Sequence, residues 1–352
     1  MKIQIINTRG GIRTFQLLLK IAMISVTCLL AFSATAKDWS APKTADGHPD
    51  LQGFWTNATI TPLERDAKYG DRLVFSESEV TSLEGADAAF REQELAPTDP
   101  SLTVEDLPED CGGGFTGVDC GYNNFWVDPG TKIMRIAGEP RTSMITNPKN
   151  GRVPSLLPAG RARLAKMYAS YISGENAGPE ARALGERCLM SFGSSAGPPM
   201  LPLLYNNNYQ IVQNKDHVMI LVEMVHDVRI IPLTKKHRPD SMSQWMGDSI
   251  GYFDGDTLVV ETINLNPSQS FRGSGPKAKF TERFTRTGQD LIKYEFTVDD
   301  AESFSQKWGG EVAFNKSEKP LYEYACHEGN YALPGILAGT RKKEKDDAMK
   351  KK

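Results

Sequence analysis

The stretch KFTERFTRTGQDLIKYEFTV at residues 279–298 decides the fold, because apolar and polar residues alternate on both sides of a Gly-Gln-Asp turn. Alternation with a period of two is typical of β-strands, and a short turn between two such runs predicts an antiparallel hairpin. A three-residue loop places Phe284 opposite Tyr294 and Arg283 opposite Glu295. One face of the hairpin is then apolar and contains Phe280, Phe284, Ile292, Tyr294, Phe296 and Val298.

Glu282 is the exception to this pattern, because its position in the alternation puts a carboxylate on the apolar face. A buried carboxylate must be paired, hydrogen-bonded or protonated. Tyr294 is its diagonal neighbour and can donate a hydrogen bond. Two interpretations follow. Glu282 and Tyr294 are catalytic groups, or Glu282 forms a structural salt bridge with an arginine such as Arg229.

A second hairpin, DSIGYFDGDTLVVETI at residues 248–263, contains an Asp-Gly pair that is typical of a two-residue turn. If Asp254 and Gly255 form the loop, Asp248 lies beside Glu261. Two carboxylates about 5 Å apart cannot both ionise easily in a partly apolar setting, so the pKa of one should rise. This arrangement predicts a general acid next to a general base. The alternative is an exposed face on which both carboxylates are solvated.

Further short alternating runs predict a mainly β protein, either an antiparallel up-and-down barrel of lipocalin-like style or a sandwich. Two helices are also expected, at residues 77–95 and 158–189. The second carries an apolar stripe at helical spacing, which predicts a packing face of Leu164, Met167, Tyr168 and Tyr171. The Gly53-Phe54-Trp55 segment is either an edge strand or an aromatic plug, and its polar surroundings favour the plug. The predicted strands are 124–127, 132–136, 142–146, 209–213, 217–224, 228–233, 249–253, 258–264, 279–286, 291–298 and 321–326.

The N-terminus has the three parts of a cleavable signal peptide, since a basic segment precedes an apolar run and a final Ala-Thr-Ala. The apolar run is shorter than the roughly 20 residues that cross a bilayer, which disfavours a retained anchor. We therefore expect a signal peptide at residues 1–36, a wrapping arm at 37–121, a β-rich domain at 122–340 and a disordered basic tail at 341–352. The mature protein is expected to be periplasmic or secreted, with no stable membrane span after cleavage.

The charge balance disfavours one class of partner. Without the four basic residues of the leader, 37 basic residues remain against 44 acidic ones, so the formal net charge changes from -3 to -7. An acidic chain is not typical of nucleic-acid binding, and a small-molecule ligand is the expected partner.

Four cysteines follow the leader, and an even number in an oxidising compartment predicts disulfides. Cys111 and Cys120 flank a glycine-rich loop and can close it locally, which leaves Cys188 to pair with Cys326. Three connectivities are possible, and the spacing does not choose between them. A structural zinc site is disfavoured because no C-x-x-C spacing is present.

His226 and His327 complete the candidate acid-base groups, because histidine titrates near neutral pH. A hydrogen-bonded structural role is the alternative for each. No metal site and no cofactor are expected, since the histidines lack metal-ligand spacing and the chain has no P-loop or dinucleotide fingerprint. Residues 193–197 match G-x-S-x-G, but the two prolines that follow favour a loop. The residues expected to bind substrate are Arg229, Trp245, Tyr252 and Tyr324.

Several motifs in the second half of the chain resemble a family of uncharacterised exported bacterial proteins. They are DVRIIPL at residue 227, WMGDS at 245, GDTLVVET at 255, ERFTR at 282 and YEYACHEGNY at 322. This resemblance implies secretion and a shared β-rich fold. It implies no activity, cofactor or catalytic residue.

Two functions are compatible with these features. The first is an exported enzyme that uses carboxylate, histidine and tyrosine groups for hydrolysis, elimination or isomerisation of a small organic molecule. Its catalytic candidates are Asp248, Glu261, Glu282, His226, His327 and Tyr294. The alternative is a non-catalytic periplasmic binding or carrier protein for a partly apolar ligand. A third, an envelope interaction protein, would have a filled interior. Polar groups that converge in one cavity would favour the enzyme.

Overall fold

The structure, a computed structural model, describes residues 39–94, 101, 103, 128–173, 178–191, 195–239 and 241–351. The chain divides into two compact units, Met1–Ser40 and Ala41–Lys352, and every element named below belongs to the second. The expected signal peptide lies outside the described residues, as does the expected strand at 124–127.

The described residues contain twelve strands and three α-helices. The strands are β1 (Gly53–Thr56), β2 (Arg135–Ile136), β3 (Glu139–Pro140), β4 (Ile145–Asn147), β5 (Asn208–Gln213), β6 (His217–Val222), β7 (Val228–Pro232), β8 (Asp248–Asp254), β9 (Thr257–Ile263), β10 (Lys279–Gly288), β11 (Leu291–Asp299) and β12 (Trp308–Lys316). The helices are α1 (Glu77–Glu94), α2 (Pro158–Ser173) and α3 (Ala332–Lys350).

One antiparallel sheet forms a nearly closed barrel, in the order β7-β6-β5-β1-β12-β11-β10-β9-β8, with β4 paired to β12. Its two end strands approach each other through a parallel bridge between Leu233 and Gly251. Closure of this kind leaves few unpaired strand edges. The prediction of a mainly β fold with an antiparallel barrel or sandwich is confirmed.

The β10–β11 hairpin lies near the middle of this sheet, and its predicted register is confirmed. Phe284 pairs with Tyr294 and Arg283 with Glu295, while a bulge between Arg286 and Gly288 pairs Gly288 with Leu291 and shortens the expected three-residue loop. The apolar face of the hairpin is buried in the main core, where Phe280, Phe284, Ile292, Tyr294, Phe296 and Val298 join residues of β5, β6 and β12.

Strand β12 was not predicted, because its Gly309-Gly310 pair interrupts the alternation. The structure explains both glycines. A Cβ atom at Gly309 would lie 2.1 Å from the carbonyl oxygen of Phe296, and one at Gly310 would lie 2.2 Å from that of Met144. The backbones of β11 and β4 can therefore approach β12 only where it lacks side chains.

The N-terminal arm differs from the prediction in one respect. The Gly53-Phe54-Trp55 segment is neither an edge strand nor a plug, because β1 pairs on both sides, with β5 and with β12. Trp55 points into the core and donates its indole N–H to the carbonyl oxygen of Leu51. Helix α1 forms as predicted. It begins at a capping box in which Ser76 and Glu79 exchange backbone and side-chain hydrogen bonds.

Four further expectations differ from the structure. Helix α2 ends at Ser173, and its predicted packing stripe is partly solvated, with Met167 42% and Tyr168 50% exposed. It docks instead through Arg163, which donates to the hydroxyl of Ser303. Residues 321–326 are irregular rather than a strand, and the basic tail is helical within α3. None of the helices in the described part of the chain is both long and apolar enough to cross a membrane.

Candidate functional site

Glu282 lies inside the barrel and is completely buried. Both of its carboxylate oxygens accept hydrogen bonds from the guanidinium of Arg229, at 2.9 and 2.5 Å. Tyr294 donates its hydroxyl to the same carboxylate at 2.8 Å. Both partners expected from the sequence are therefore present, and the structural interpretation of Glu282 as one half of a salt bridge accounts for its position.

The segment from Ser195 to Met200 fills the barrel beside this cluster. The backbone N–H of Met200 donates to the hydroxyl of Tyr294, and Tyr209 donates its hydroxyl to the carbonyl oxygen of Ser195. Ala196 and Met200 are fully buried in the same core. The described part of the G-x-S-x-G match, residues 195–197, is therefore a loop packed into the barrel with Ser195 buried, while residues 193 and 194 lie outside the described residues.

Burial and neighbouring charges act on the pKa values of Tyr294 and Arg229. Burial raises the pKa of the Tyr294 phenol, and the negative charge of Glu282 raises it further. For Arg229, burial works to lower the pKa, but the charge and hydrogen bonds of Glu282 outweigh it and the pKa rises. The phenol stays neutral and the guanidinium stays charged, so neither is poised to exchange a proton near neutral pH. Two buried atoms here, Nε of Arg229 and Oγ of Ser195, have no hydrogen-bond partner among the described residues.

The predicted carboxylate pair does not form, because the observed β8–β9 register differs from the predicted one by two residues. Gly255 and Asp256 form the loop, Asp254 pairs with Thr257, and Asp248 pairs with Ile263 rather than with Glu261. Gly255 has a φ of 59°, which places glycine at the first position of the turn instead of the second. The shift preserves which residues share a face but moves the two carboxylates out of register.

Each of these carboxylates instead has its own partner on the outer face of the barrel. Glu261 forms an ion pair with Lys279 at 3.0 Å. Asp248 accepts a hydrogen bond from the backbone N–H of Arg238 at 2.9 Å and contacts Nδ1 of His237 at 2.8 Å. The sequence analysis did not single out His237, because this contact joins a loop to a strand and depends on the fold of residues 234–247.

The other predicted site residues are dispersed. His226 ends a 3₁₀ turn, and its Nδ1 lies 3.0 Å from the carbonyl oxygen of Tyr324. His327 is exposed, and Trp245 is partly buried. Tyr252 lies on the outer face, where the ammonium of Lys235 is 6.0 Å from its ring centroid. The six predicted catalytic groups therefore do not converge on one cavity.

A cleft of about 450 Å³ lies between the start of α3 and two segments that precede it. Its lining is mainly apolar. The lining residues are Gly185, Glu186, Glu323, Tyr324, Ala325, Cys326, Asn330, Ala332, Leu333 and Ile336. Of the predicted substrate-binding residues, Tyr324 lies here, whereas Arg229, Trp245 and Tyr252 do not.

A disulfide joins two walls of this cleft. Cys188 and Cys326 are bonded, with an S–S distance of 2.07 Å and a Cα–Cα distance of 5.8 Å. The pairing that the sequence left as one of three possibilities is therefore present for these two cysteines. Cys111 and Cys120 lie outside the described residues.

Hydrogen bonds also hold the C-terminal wall against the barrel. Buried Glu223 accepts the backbone N–H of Tyr322 at 3.1 Å, and it also accepts a hydrogen bond from the side chain of Asn206. The amide of Asn330 donates to the carbonyl oxygen of Glu186 at 3.4 Å. The cleft is thus built from segments that are distant in sequence and fixed by both covalent and polar contacts.

The polar groups in the cleft are few. Glu186 is paired with Arg182 at 2.5 Å, so its charge is already compensated. Burial raises the pKa of the Tyr324 phenol, and the nearby Tyr205 raises it further, so this phenol is a neutral hydrogen-bonding group. A mainly apolar lining with a small number of placed polar groups is typical of a small-molecule site.

No group of three or more His, Cys, Asp or Glu residues in the described part of the chain is arranged to hold a metal ion. A comparison of the sequence with protein-family models and with curated proteins finds no match.

Proposed function

We propose that this protein is an exported, non-catalytic binding or carrier protein for a small, partly apolar molecule, and that the ligand occupies the cleft beside α3. The main observation in support of this proposal is the volume of the cleft. At about 450 Å³ it lies within the range of roughly 300–1,000 Å³ typical of small-molecule pockets. Leu333, Ile336 and the Tyr324 ring supply apolar contacts, while Asn330 and Glu323 supply polar ones.

The close packing of the barrel interior around Glu282 supports a site elsewhere. Glu282 accepts three hydrogen bonds, two of them from Arg229, and the chain around Met200 occupies the space beside them. A ligand there would have to displace buried and hydrogen-bonded groups, which costs free energy without new solvent release. The cleft requires no such displacement.

The Cys188–Cys326 disulfide supports the expected location, because disulfides persist in oxidising compartments outside the cytoplasm. A carrier in such a compartment binds its ligand where cytosolic cofactors are not supplied. Chemistry that depends on nicotinamide nucleotides is not part of the proposal.

An acid-base enzyme is the second candidate, and one contact favours it. Asp248 orients Nδ1 of His237 at 2.8 Å, which leaves the other ring nitrogen for proton transfer. Replacement of His237 by Gln would then abolish turnover in a screen of ester and lactone hydrolysis. Unchanged activity in that variant, or no activity in the parent protein, would remove this candidate.

The test of the binding proposal uses the exported, oxidised protein. Native mass spectrometry of the purified chain identifies any molecule that co-purifies, and fluorescence titration with N-phenylnaphthylamine, an uncharged apolar probe, measures occupancy. Ala332 lines the cleft at the first residue of α3, so A332W places an indole ring at the cleft. Ala338 lies on the same helix outside the lining, so A338W is the matched control.

We expect A332W to weaken probe binding at least about tenfold and A338W to leave it unchanged, because the indole at position 332 takes up cleft volume that the probe needs, whereas position 338 lies outside the lining. Equal probe binding in both variants would contradict the assignment of the cleft. Absence of both a co-purifying molecule and probe binding would contradict the proposed function itself.

A further inference from the structure

The outer surface of the barrel has an apolar strip on strands β5, β6 and β7. Side chains that point outward from these strands pair across the sheet in two rows. In the first row, Val212 pairs with Met219, which pairs with Ile230. In the second row, Leu221 pairs with Val228. We call these five residues the apolar strip.

The strip is accessible to solvent. Ile230 is 61% exposed, Val228 40% and Val212 38%. Soluble antiparallel sheets usually place polar residues on the solvent face, and contiguous exposed apolar residues are typical of an interaction site.

Three lysines flank one end of the strip. Lys215 precedes β6, and Lys235 and Lys236 follow β7; these strand ends are adjacent, because His217 pairs with Pro232. The backbone N–H of Leu233 donates to the carbonyl oxygen of Asp216, which ties the two loops together. Lys215, Lys235 and Lys236 are exposed.

These ammonium groups differ from the lysines on the other outer face. Lys279 pairs with Glu261 at 3.0 Å and Lys293 with Glu295 at 3.1 Å, so the charges on β9, β10 and β11 are locally compensated. Within the described residues, none of the three lysines beside the strip forms an ion pair with a carboxylate. The loops that follow β5 and β7 contain two acidic residues, Asp216 and Asp240, against the four basic residues Lys215, Lys235, Lys236 and Arg238, which leaves a local excess of positive charge.

We propose that the apolar strip and its three lysines form a peripheral docking surface for an anionic lipid membrane. Exposed aliphatic side chains enter the boundary between headgroups and acyl chains, while lysine ammonium groups bind the anionic headgroups above them. Charge complementarity selects this partner, because the local excess of positive charge beside the strip matches anionic headgroups. The surface is separate from the cleft and does not depend on the proposed ligand.

Co-sedimentation with vesicles tests the surface directly. The full chain after export is mixed with vesicles of phosphatidylglycerol and phosphatidylcholine or with vesicles of phosphatidylcholine alone. We expect binding to the anionic vesicles that weakens as salt is raised, and at least about tenfold weaker binding to the neutral ones. Equal binding to both compositions, or binding to neither, would overturn the proposal.

Matched variants assign the binding to these residues. The double variant K235Q/K236Q removes two charges beside the strip, and K342Q/K343Q removes two adjacent charges from α3. We expect the first to lower anionic vesicle binding about tenfold and the second to leave it nearly unchanged. An equal or larger loss with K342Q/K343Q would place the lipid contact on α3 and overturn the assignment.

The apolar half of the surface has its own test. Ile230 is largely exposed, and threonine keeps its β-branched shape, so I230T should fold normally. We expect at least threefold weaker binding to anionic vesicles and an unchanged molar mass in light scattering. If the parent protein dimerises and I230T converts it to a monomer without any change in vesicle binding, the strip is a contact between copies and the lipid proposal is wrong.

Discussion

The barrel interior around Glu282 and the cleft around Tyr324 contain similar residue types, but these residues are closely packed in the interior and border open volume in the cleft. In the interior, Tyr294 and Arg229 satisfy the buried carboxylate of Glu282, and Ala196 and Met200 are packed beside them. In the cleft, Tyr324 and Asn330 border about 450 Å³ of open volume. A polar residue on an apolar face therefore indicates function only when its neighbours leave space and hydrogen-bonding capacity for another molecule.

The largest expected effect tests the interior half of this comparison. In E282Q, the buried guanidinium of Arg229 loses its counter-charge, and breaking such a buried pair costs about 3–5 kcal/mol. The free energy of unfolding from urea titration should fall by that amount. The matched control is E295Q on the outer face, where Glu295 pairs with Lys293 in partial contact with solvent and the expected loss is below about 1 kcal/mol.

Equal losses in E282Q and E295Q would mean that the interior cluster does not carry the stability that its burial implies. The result would reopen the interior as a functional site. It would also show that the cluster tolerates an uncompensated charge.

The second effect tests the cleft. The disulfide between Cys188 and Cys326 closes a loop of 138 residues, so the double variant C188S/C326S should lose about 2–4 kcal/mol of unfolding free energy. It should also lose binding of N-phenylnaphthylamine, because the two walls are no longer joined. Full probe binding in a folded double variant would show that hydrogen bonds such as that from Tyr322 to Glu223 hold the walls by themselves.

Much of the fold could be predicted because the hairpins carry their own register information. In β10 and β11 the alternation is strict, and the one polar exception, Glu282, marks the position where a buried partner is needed. In β8 and β9 the sequence Asp-Gly-Asp offers two overlapping turns, and the glycine can occupy either central position. The sequence therefore predicts which residues of β8 and β9 share a face of the sheet, but not which residue of β8 pairs with which residue of β9.

The site could not be predicted in the same way, because its contacts join distant segments. The cleft combines residues near 185, 325 and 333, and nothing in their local patterns indicates that they meet. The Cys188–Cys326 pairing was the one available signal, and it was one of three possibilities. The contact of His237 with Asp248 likewise depends on the path of a loop.

The third prediction separates binding from stability within the cleft. Ile336 lines the cleft and is half-buried, whereas the neighbouring Leu337 is equally half-buried but lies outside the lining. Truncation of either to Ala should cost about 1 kcal/mol, since both are surface-proximal helix positions. I336A should weaken probe binding about tenfold, and L337A should leave it unchanged. The same loss of binding in both variants would mean that the helix as a whole, rather than the lining, determines affinity.

The smallest effect lies at the border between the two regions, where Asp227 accepts the backbone N–H of Ser191 at 2.7 Å. Burial raises the pKa of this carboxyl, and the hydrogen bond from Ser191 offsets the rise only in part. A raised pKa means that the folded state favours the protonated form. Its contribution to stability is therefore present below the unfolded pKa of about 3.9 and is lost as pH rises through the folded pKa.

The variant D227N tests this pH dependence. Its side chain does not ionise, so this loss is absent, while its amide oxygen still accepts the hydrogen bond from Ser191. The variant should gain stability relative to the parent between acidic and neutral pH, by a fraction of the disulfide effect, in urea titrations repeated across that range. A loss of stability in D227N would show that the ionised carboxylate is stabilised where it lies, and that this border resembles the closely packed interior rather than the open cleft.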